Sequence, residues 1–201
     1  MIRILVAEHL ALVRRGLVAS LEAEPDLRVV AEVASAEDVL PRALECEPDA
    51  AVVDADLPGV GGLGAAEALR EKAPGCAVLI LSAQPHPGQV RGALAAHARG
   101  FMTLDVAPEQ LAEGLRRIAA GGRAIDAELA VAALQSPVNP LTRREIDVLR
   151  IAAGGARSAE IADELFLSVG TVRNHLSRIM CKTGARNRVD AVRIASDSGW
   201  L

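Results

Sequence analysis

Tyrosine is absent from the 201-residue chain, tryptophan occurs once and lysine twice, so nearly all basic side chains are arginine. The three cysteines, Cys46, Cys76 and Cys181, are scattered without the spacing of a metal site, which predicts reduced thiols in a cytosol. No run of 18 apolar residues occurs, and the apolar stretch at 4–7 is too short for a membrane span or a signal peptide. We therefore expect a cytoplasmic protein with no membrane partner.

Catalytic signatures are missing as well. The chain shows no nucleophile–base pair, glycine-rich phosphate loop or metal-ligand cluster, so we expect no enzyme activity and no cofactor. The charge, by contrast, is unevenly distributed. Residues 1–137 carry 12 basic and 19 acidic side chains, a formal charge of −7, whereas residues 138–201 carry 10 and 7, a charge of +3. This asymmetry favours two domains, the second with a polyanionic partner.

The first 120 residues alternate between strand and helix patterns. This alternation predicts an α/β domain with a five-stranded, doubly wound parallel sheet, in which functional residues lie beyond the carboxyl ends of the strands. The predicted strands span 2–7, 28–33, 50–55, 77–82 and 100–104, and the predicted helices span 11–23, 36–46, 63–72, 88–98 and 108–120. The residues at strand ends are Glu8, His9, Asp54, Ser82 and Leu104.

A linker is predicted at 121–139, with a short helix at 126–135, because glycines open the segment and prolines close it. Residues 140–201 show only helical patterns and predict a small all-α domain of four helices. These helices span 142–153, 158–165, 169–182 and 188–197. Thr142 with Glu145 has the spacing of a capping box, and Ser168 can cap the helix that follows it.

The helix at 169–182 has a polar face suited to DNA. Val172, Leu176 and Ile179 share its inward face, and a short turn joins it to the preceding helix. Hydroxyl, amide and guanidinium groups on a short helix suit a major groove, where Arg pairs with guanine and Asn with adenine. A solvated amphipathic helix is the alternative. The outward residues are Thr171, Arg173, Asn174, Ser177, Arg178 and Lys182.

The motifs "LTRREIDVL", "EIADELFLSVGTVRNH" and "RNRVDAV" resemble the LuxR-type helix-turn-helix domain of NarL/FixJ response regulators. The resemblance implies that 169–182 is the recognition helix and that 188–197 is a dimerisation helix. Arg157 departs from the family pattern and adds a cation that can touch phosphate. The implied base-facing residues are Arg173, Asn174 and Ser177. The implied backbone contacts or supports are Ser168, Thr171, His175, Arg178 and Lys182. The implied dimerisation residues are Val189, Val192 and Ile194.

Two other residues of the recognition helix have simpler interpretations. A lone histidine there is more often a packing or capping group, which we expect for His175. We expect Cys181 to be a small buried hydrophobe rather than a redox switch, because no partner cysteine is near in sequence.

The front domain resembles a CheY-like receiver through "ILVAEHLALVRRGL", "VVDADLPGVGGL", "LILS" and "GFMTLDVAPEQLAEGLRRIAAG". The resemblance implies that Asp54 accepts a phosphoryl group, with an acid pair at 8 and 9 for Mg²⁺ and a lysine at 104. Ser82 and Phe101 would relay the change. The acid pair here is Glu8-His9, however, and position 104 is leucine. Since phosphoryl transfer depends on positioning and on charge neutralisation, we expect weak Mg²⁺ binding and slow or absent phosphorylation.

Three interpretations of Glu8-His9 remain open. In the first, the site has decayed, and His9 caps the helix or pairs with Asp54. In the second, protonated His9 acts as an internal cation between the two carboxylates and makes the receiver sensitive to pH. In the third, some phosphorylation survives at low efficiency.

The function predicted from these patterns is a homodimeric transcriptional regulator that binds double-stranded DNA and is controlled without Mg²⁺-dependent phosphorylation of Asp54. A conventional regulator that a sensor kinase activates through Asp54 is one alternative. A heterodimerisation partner is another. Control could come from a constitutive dimer through 87–120, or from a small apolar ligand near Leu10, Met102 and Leu104.

Overall fold

The computed structural model describes residues 1–135 and 139–201, which form two compact units, residues 1–134 and 135–201. The predicted linker at 121–139 lies partly outside the described residues, at 136–138. Elsewhere the predicted helices and strands agree with the structure to within three residues at their ends. The first unit contains β1 Ile2–Ala7, α1 Ala11–Glu22, β2 Leu27–Val33, α2 Ala36–Cys46, β3 Ala50–Asp54, α3 Gly61–Lys72, β4 Ala77–Ser82, α4 Pro87–Ala95, β5 Gly100–Thr103, α5 Pro108–Ala119, β6 Ala124–Ile125 and α6 Ala127–Gln135.

The strands form one sheet in the order β2-β1-β3-β4-β5-β6, and every neighbouring pair is parallel. The predicted doubly wound sheet is therefore confirmed, with a sixth short strand added at its edge. Side chains alternate between its two faces, as the period of two along a strand requires. On β1, Leu5 and Ala7 join the core beneath α2, α3 and α4, whereas Ile4 and Val6 join the core beneath α1 and α5.

Residues 124–135 differ from the predicted linker. β6 pairs with the first two residues of β5, where Ala124 lies opposite Gly100 and Ile125 opposite Phe101. From α6, Ala133 is buried in the core of the first unit. This part of the segment is therefore packed on the receiver-like sheet.

Within residues 139–201, the second unit has four helices, as predicted, around its own apolar core. Thr142 forms the predicted capping box, because its hydroxyl accepts a hydrogen bond from the amide of Glu145 while the Glu145 carboxylate accepts one from the amide of Thr142. Trp200, the single tryptophan of the chain, is buried in this core. The helices are α7 Arg143–Ala153, α8 Ser158–Glu164, α9 Val169–Thr183 and α10 Arg188–Asp197.

No helix within 1–135 and 139–201 combines the length and the apolar character that a membrane crossing requires.

Candidate functional sites

Three parallel strands bring polar side chains to one edge of the sheet. Glu8 follows β1 directly, Asp54 ends β3 and Ser82 ends β4, and all three are buried. The chain around Asp54 is tightly packed, because a Cβ at Gly62 would overlap the backbone oxygen of Asp54. This edge is the pocket expected from the sequence.

His9 lies between the two carboxylates of the pocket. Its Nδ1 is 2.6 Å from Asp54 Oδ2, which is a hydrogen bond, and 3.3 Å from Glu8 Oε1. Glu8 Oε1 also accepts a hydrogen bond of 2.7 Å from the backbone amide of Leu10. Burial raises the pKa of Glu8, the charge of Asp54 raises it further, and the Leu10 amide only partly opposes this shift. The pairing of His9 with Asp54 is one of the arrangements considered from the sequence.

A hydrogen-bonded chain leads from Ser82 to the loop after Asp54. The Ser82 hydroxyl donates to Gln89 Oε1 over 3.0 Å, and Gln89 Nε2 donates to Asp56 Oδ1 over 3.3 Å. Gln89 lies in the first turn of α4, which His86 caps by accepting a hydrogen bond from the Gln89 amide. Gln89 and Asp56 were not predicted from the sequence, since neither stands at a strand end.

The remaining two pocket residues pack in the two apolar cores of the first unit. Phe101 is buried in the core beneath α2, α3 and α4. Leu104 packs on the opposite face and lines an apolar cleft of about 280 Å³ with residues of α1 and α5. Met102 lines a different cavity, and Leu10 is 51% exposed and lines neither. Met102 and Leu104 nevertheless pack against the same core, so the small apolar ligand considered near Leu10, Met102 and Leu104 stays a prediction.

The outer face of α9 carries exposed polar side chains. Ser168 caps the helix by accepting a hydrogen bond of 3.1 Å from the Thr171 amide, and its hydroxyl also lies 2.9 Å from that of Thr171. Val172, Leu176 and Ile179 are buried on the inner face. Four polar side chains are exposed and, within the described residues, make no side-chain hydrogen bond or ion pair. They are Arg173, Asn174, Ser177 and Arg178.

Lys182, on the same helix, is instead engaged within the domain. Its Nζ lies 2.6 Å from Oε2 of Glu145, whose side chain is buried. Burial raises the pKa of Glu145, but hydrogen bonds from Lys182 and from the amide and hydroxyl of Thr142 outweigh it and lower the pKa below its ordinary value. Of the two roles expected for Lys182, the geometry favours support of the fold over a phosphate contact.

The structure also shows the surroundings of His175 and Cys181 on α9, and of Arg157, which directly precedes α8. His175 is half-buried, and its Nδ1 is enclosed and has no hydrogen-bond partner among the residues that the structure describes, as a packing group would be. Cys181 is exposed, so the prediction of a buried thiol is wrong. The residue follows Ile179 by two positions, which rotates it about 200° from the core-facing row. Arg157 is exposed and paired with Glu160 over 2.9 Å.

The dimerisation residues implied for α10 differ in exposure. Val189 is 78% exposed, whereas Val192 and Ile194 are partly buried against the domain core. Val189 is therefore the residue of the three that offers the most free apolar surface.

Lys182→Met is expected to lower the free energy of unfolding of the second unit by roughly 1–3 kcal/mol at neutral pH, because the buried Glu145 carboxylate loses its charged donor. The ammonium side chain is 35% exposed, so solvent screening favours the low end. Since the folded-state pKa of Glu145 is lowered, its stabilisation is complete above the ordinary value of 4.5 and is lost as the pH falls through the folded-state value.

Urea titrations followed by Trp200 fluorescence check this prediction, because Trp200 lies in the apolar core of the second unit. The difference between Lys182→Met and the wild type should shrink below about pH 4.5. Arg157→Ala is the matched control, since it breaks a solvent-exposed pair and should change stability little. If the difference in unfolding free energy between Lys182→Met and the wild type stayed constant down to pH 3, Lys182 would not be the charged partner of Glu145.

Comparison with known families places both units. The profile of the response regulator receiver domain matches residues 4–116, and the profile of the bacterial regulatory proteins of the luxR family matches residues 139–195. The uncharacterized transcriptional regulatory protein YvfU and the transcriptional regulatory protein DesR, both of Bacillus subtilis, are each 36% identical over the whole of both chains. The transcriptional activator DevR/DosR of Mycobacterium tuberculosis is 31% identical over 98% of this chain and 95% of its own.

Solved structures agree with this assignment. The response regulator ChrA of a heme-sensing two-component system is 30% identical and superposes with a TM-score of 0.59 over 100% of this chain and 98% of its own. RcsB in complex with DNA has a TM-score of 0.65 at 21% identity, over 98% of each chain, which is a likeness of fold. The fold and the pocket thus define a two-component response regulator. Within that class the chain belongs to the NarL/FixJ-type transcriptional regulators, whose DNA-binding domain is of the LuxR type.

Proposed function

We propose that this DNA-binding regulator acts as a homodimer and is controlled without Mg²⁺-dependent phosphorylation of Asp54. The observation that carries the proposal is the position of His9, whose ring nitrogen lies 2.6 Å from Asp54 Oδ2, where a receiver needs a metal-bound carboxylate. Phosphoryl transfer depends on metal ions and fixed cations that neutralise charge on the transferred group.

The residues present fit Mg²⁺ poorly. Mg²⁺ demands oxygen ligands in near-octahedral geometry, and an imidazole nitrogen takes the place of one of them. Both Asp54 oxygens already have partners, because Oδ2 faces His9 and Oδ1 accepts a hydrogen bond of 3.0 Å from the Asp56 amide.

The fixed cation is missing too. Leu104 stands where a lysine would neutralise the phosphoryl oxygens, and its side chain packs in the apolar core beneath α1 and α5. Arg14 does not replace it, because its guanidinium donates to the backbone oxygen of Glu8 over 2.6 Å and lies 3.7 Å from the Glu32 carboxylate. A phosphoryl group on Asp54 would therefore lack compensation from these neighbours.

DNA recognition is proposed for the exposed face of α9. Arg173, Asn174 and Ser177 are the base-reading residues of the proposal, and Arg178, Ser168 and Thr171 are the backbone contacts. The first three and Arg178 are exposed and, among the described residues, make no side-chain hydrogen bond or ion pair, which supports this proposal. Arg and Asn can each form two hydrogen bonds with a base edge in the major groove.

A homodimer would bind two half-sites about one helical turn apart. Support comes from RcsB, which a solved structure shows as two dimers bound to two parallel DNAs. The exposed Val189 on α10 and the receiver region at 87–120 are the proposed contact surfaces.

The experiment is DNA binding by the purified protein before and after treatment with a small phosphodonor and Mg²⁺. Duplexes selected from a random pool serve as ligand, light scattering gives the mass, and Asp54→Ala is the control. We expect a dimer whose affinity is the same in all conditions and in the variant. Binding that requires the donor and is lost in Asp54→Ala would favour the conventional regulator. A monomer that binds only with a related regulator would favour the heterodimer.

A further inference from the structure

Residues 124–133, here called the strap, cover one edge of the receiver-like sheet. Through β6 the strap pairs with Gly100 and Phe101, the first two residues of β5. The amide of Ala124 also donates a hydrogen bond of 2.9 Å to the backbone oxygen of Arg99. The strap thereby occupies backbone groups that this edge would otherwise offer to a strand of another molecule.

α6 forms the helical part of the strap and covers the apolar flank of the same edge. Ala133 is 1% exposed and lies in one core with Phe101 of β5 and Val90 of α4. Leu129 is partly buried against that core. The proposed dimer surface at 87–120 includes both β5 and α4, so the strap lies where a second copy of the chain would bind.

The strap has few contacts to hold it on the sheet. β6 has two residues and α6 has nine, and isolated helices shorter than about 12–15 residues are marginal in water. Within residues 124–133, all of which the structure describes, only Ala124 and Ala133 are buried. A cavity of about 380 Å³ is lined by Met102 from β5 and by Leu129 from α6. Because local opening exposes little apolar surface, the strap belongs to the least stable parts of its unit.

The outward side of α6 is apolar as well. Val131 is 50% exposed, and Ala127 and Ala132 are exposed too. A helix that is apolar all round is normally buried on all sides. α6 therefore has more apolar surface than its seat on the sheet covers, which suits a segment that leaves this seat for another.

We propose that the strap is an autoinhibitory contact that competes with a second copy of the chain for the β5 edge and the flank of α4. A dimer through 87–120 forms when the strap is released, and the seated strap prevents it. The proposal rests on the dimer surface at 87–120 that belongs to the proposed function. Its test compares a locked and a free strap in one protein, so that the strap and the dimer surface can fail separately.

A disulfide can lock the strap to α5. A Cβ at Gly114 would lie 3.5 Å from the Cβ of Ala124, within the span of about 3.5–4.5 Å that a disulfide bridges. The same Cβ would meet the methyl end of Met102 at 2.5 Å, and this flexible end can move into the neighbouring cavity. The variant is Gly114→Cys with Ala124→Cys. Cys181→Ser removes the exposed thiol, and Val189→Glu weakens the contact proposed for α10.

Analytical ultracentrifugation of the full-length variant, oxidised and then reduced, measures the dimer dissociation constant, and intact mass confirms the disulfide. We expect the constant to be at least about tenfold higher in the oxidised protein, because the lock removes the state that dimerises. Equal constants in the two states would overturn the strap alone. No dimer in either state would overturn the strap together with the dimer surface at 87–120.

Asp126→Ala, added to the same variant, loosens the strap instead. The Asp126 carboxylate caps α6 by accepting hydrogen bonds of 2.8 and 3.1 Å from the amides of Glu128 and Leu129. Loss of the cap destabilises the seated helix, so the dimer of the reduced protein should become several-fold tighter. The oxidised protein is the matched control, since the lock should cancel this effect. A reduced protein whose dimer Asp126→Ala leaves unchanged or weakens would overturn the proposal.

Discussion

Arg173→Ala is expected to weaken binding to a selected DNA site by about 1–3 kcal/mol, or roughly 5- to 150-fold, while binding to random DNA changes little. The guanidinium is exposed on the outer face of α9 and makes no ion pair within the described residues, so nothing inside the domain competes for it. Its removal should therefore cost base discrimination without loss of stability. Fluorescence anisotropy with the selected and the random duplex, at one fixed salt concentration, measures the ratio of the two affinities.

Arg178→Ala separates base reading from phosphate contact. Arg178 is exposed and uncommitted on the same helix, and we assign it to the DNA backbone. Its removal should weaken binding to both duplexes alike and reduce the salt dependence by about one counterion. The assignment of the recognition face fails if Arg173→Ala leaves the preference for the selected site intact.

The double variant His9→Asp, Leu104→Lys is expected to gain a phosphoryl group from a small phosphodonor and Mg²⁺, whereas the wild type gains none. The first substitution replaces the imidazole beside Asp54 with a carboxylate, and the second provides the fixed cation that the pocket lacks. Both are needed, because metal binding and neutralisation of the phosphoryl oxygens are separate requirements of the transfer. Intact mass spectrometry reads the result directly.

The controls are the two single variants and the double variant with Asp54→Ala. Each single variant should gain less of the phosphoryl group than the double variant does, and Asp54→Ala should abolish the gain. A wild-type protein that is fully phosphorylated at Asp54 under the same conditions would refute the proposed mode of control, and Glu8 with His9 would then suffice for the chemistry.

Strands β1 to β5 were predictable from the sequence, because each is an apolar run of a few residues that is followed by a helical pattern. β6 was not, since a strand of two residues, Ala124 and Ile125, is too short to show a period. Its pairing depends on the first two residues of β5, a contact that no local pattern encodes. The same holds for α6, whose position in the chain was predicted but whose packing through Ala133 was not.

The pocket was predictable as far as strand ends determine it, which covers Glu8, His9, Asp54 and Ser82. The link from Ser82 to Gln89 was not, because it depends on where α4 begins and how its first turn is oriented. On α9, periodicity separates inner from outer residues but does not identify partners. Lys182 is therefore outward by pattern and still bound to Glu145 from another helix.

The sheet edge at β6 has a consequence for handling the receiver-like unit alone. A fragment ending at residue 120 would lose β6 and expose the backbone donors and acceptors of β5, together with apolar surface now covered by Leu129 and Ala133. An open strand of this kind is a template for intermolecular pairing. Fragments that stop short of α6 are thus prone to aggregate, however well their central strands fold.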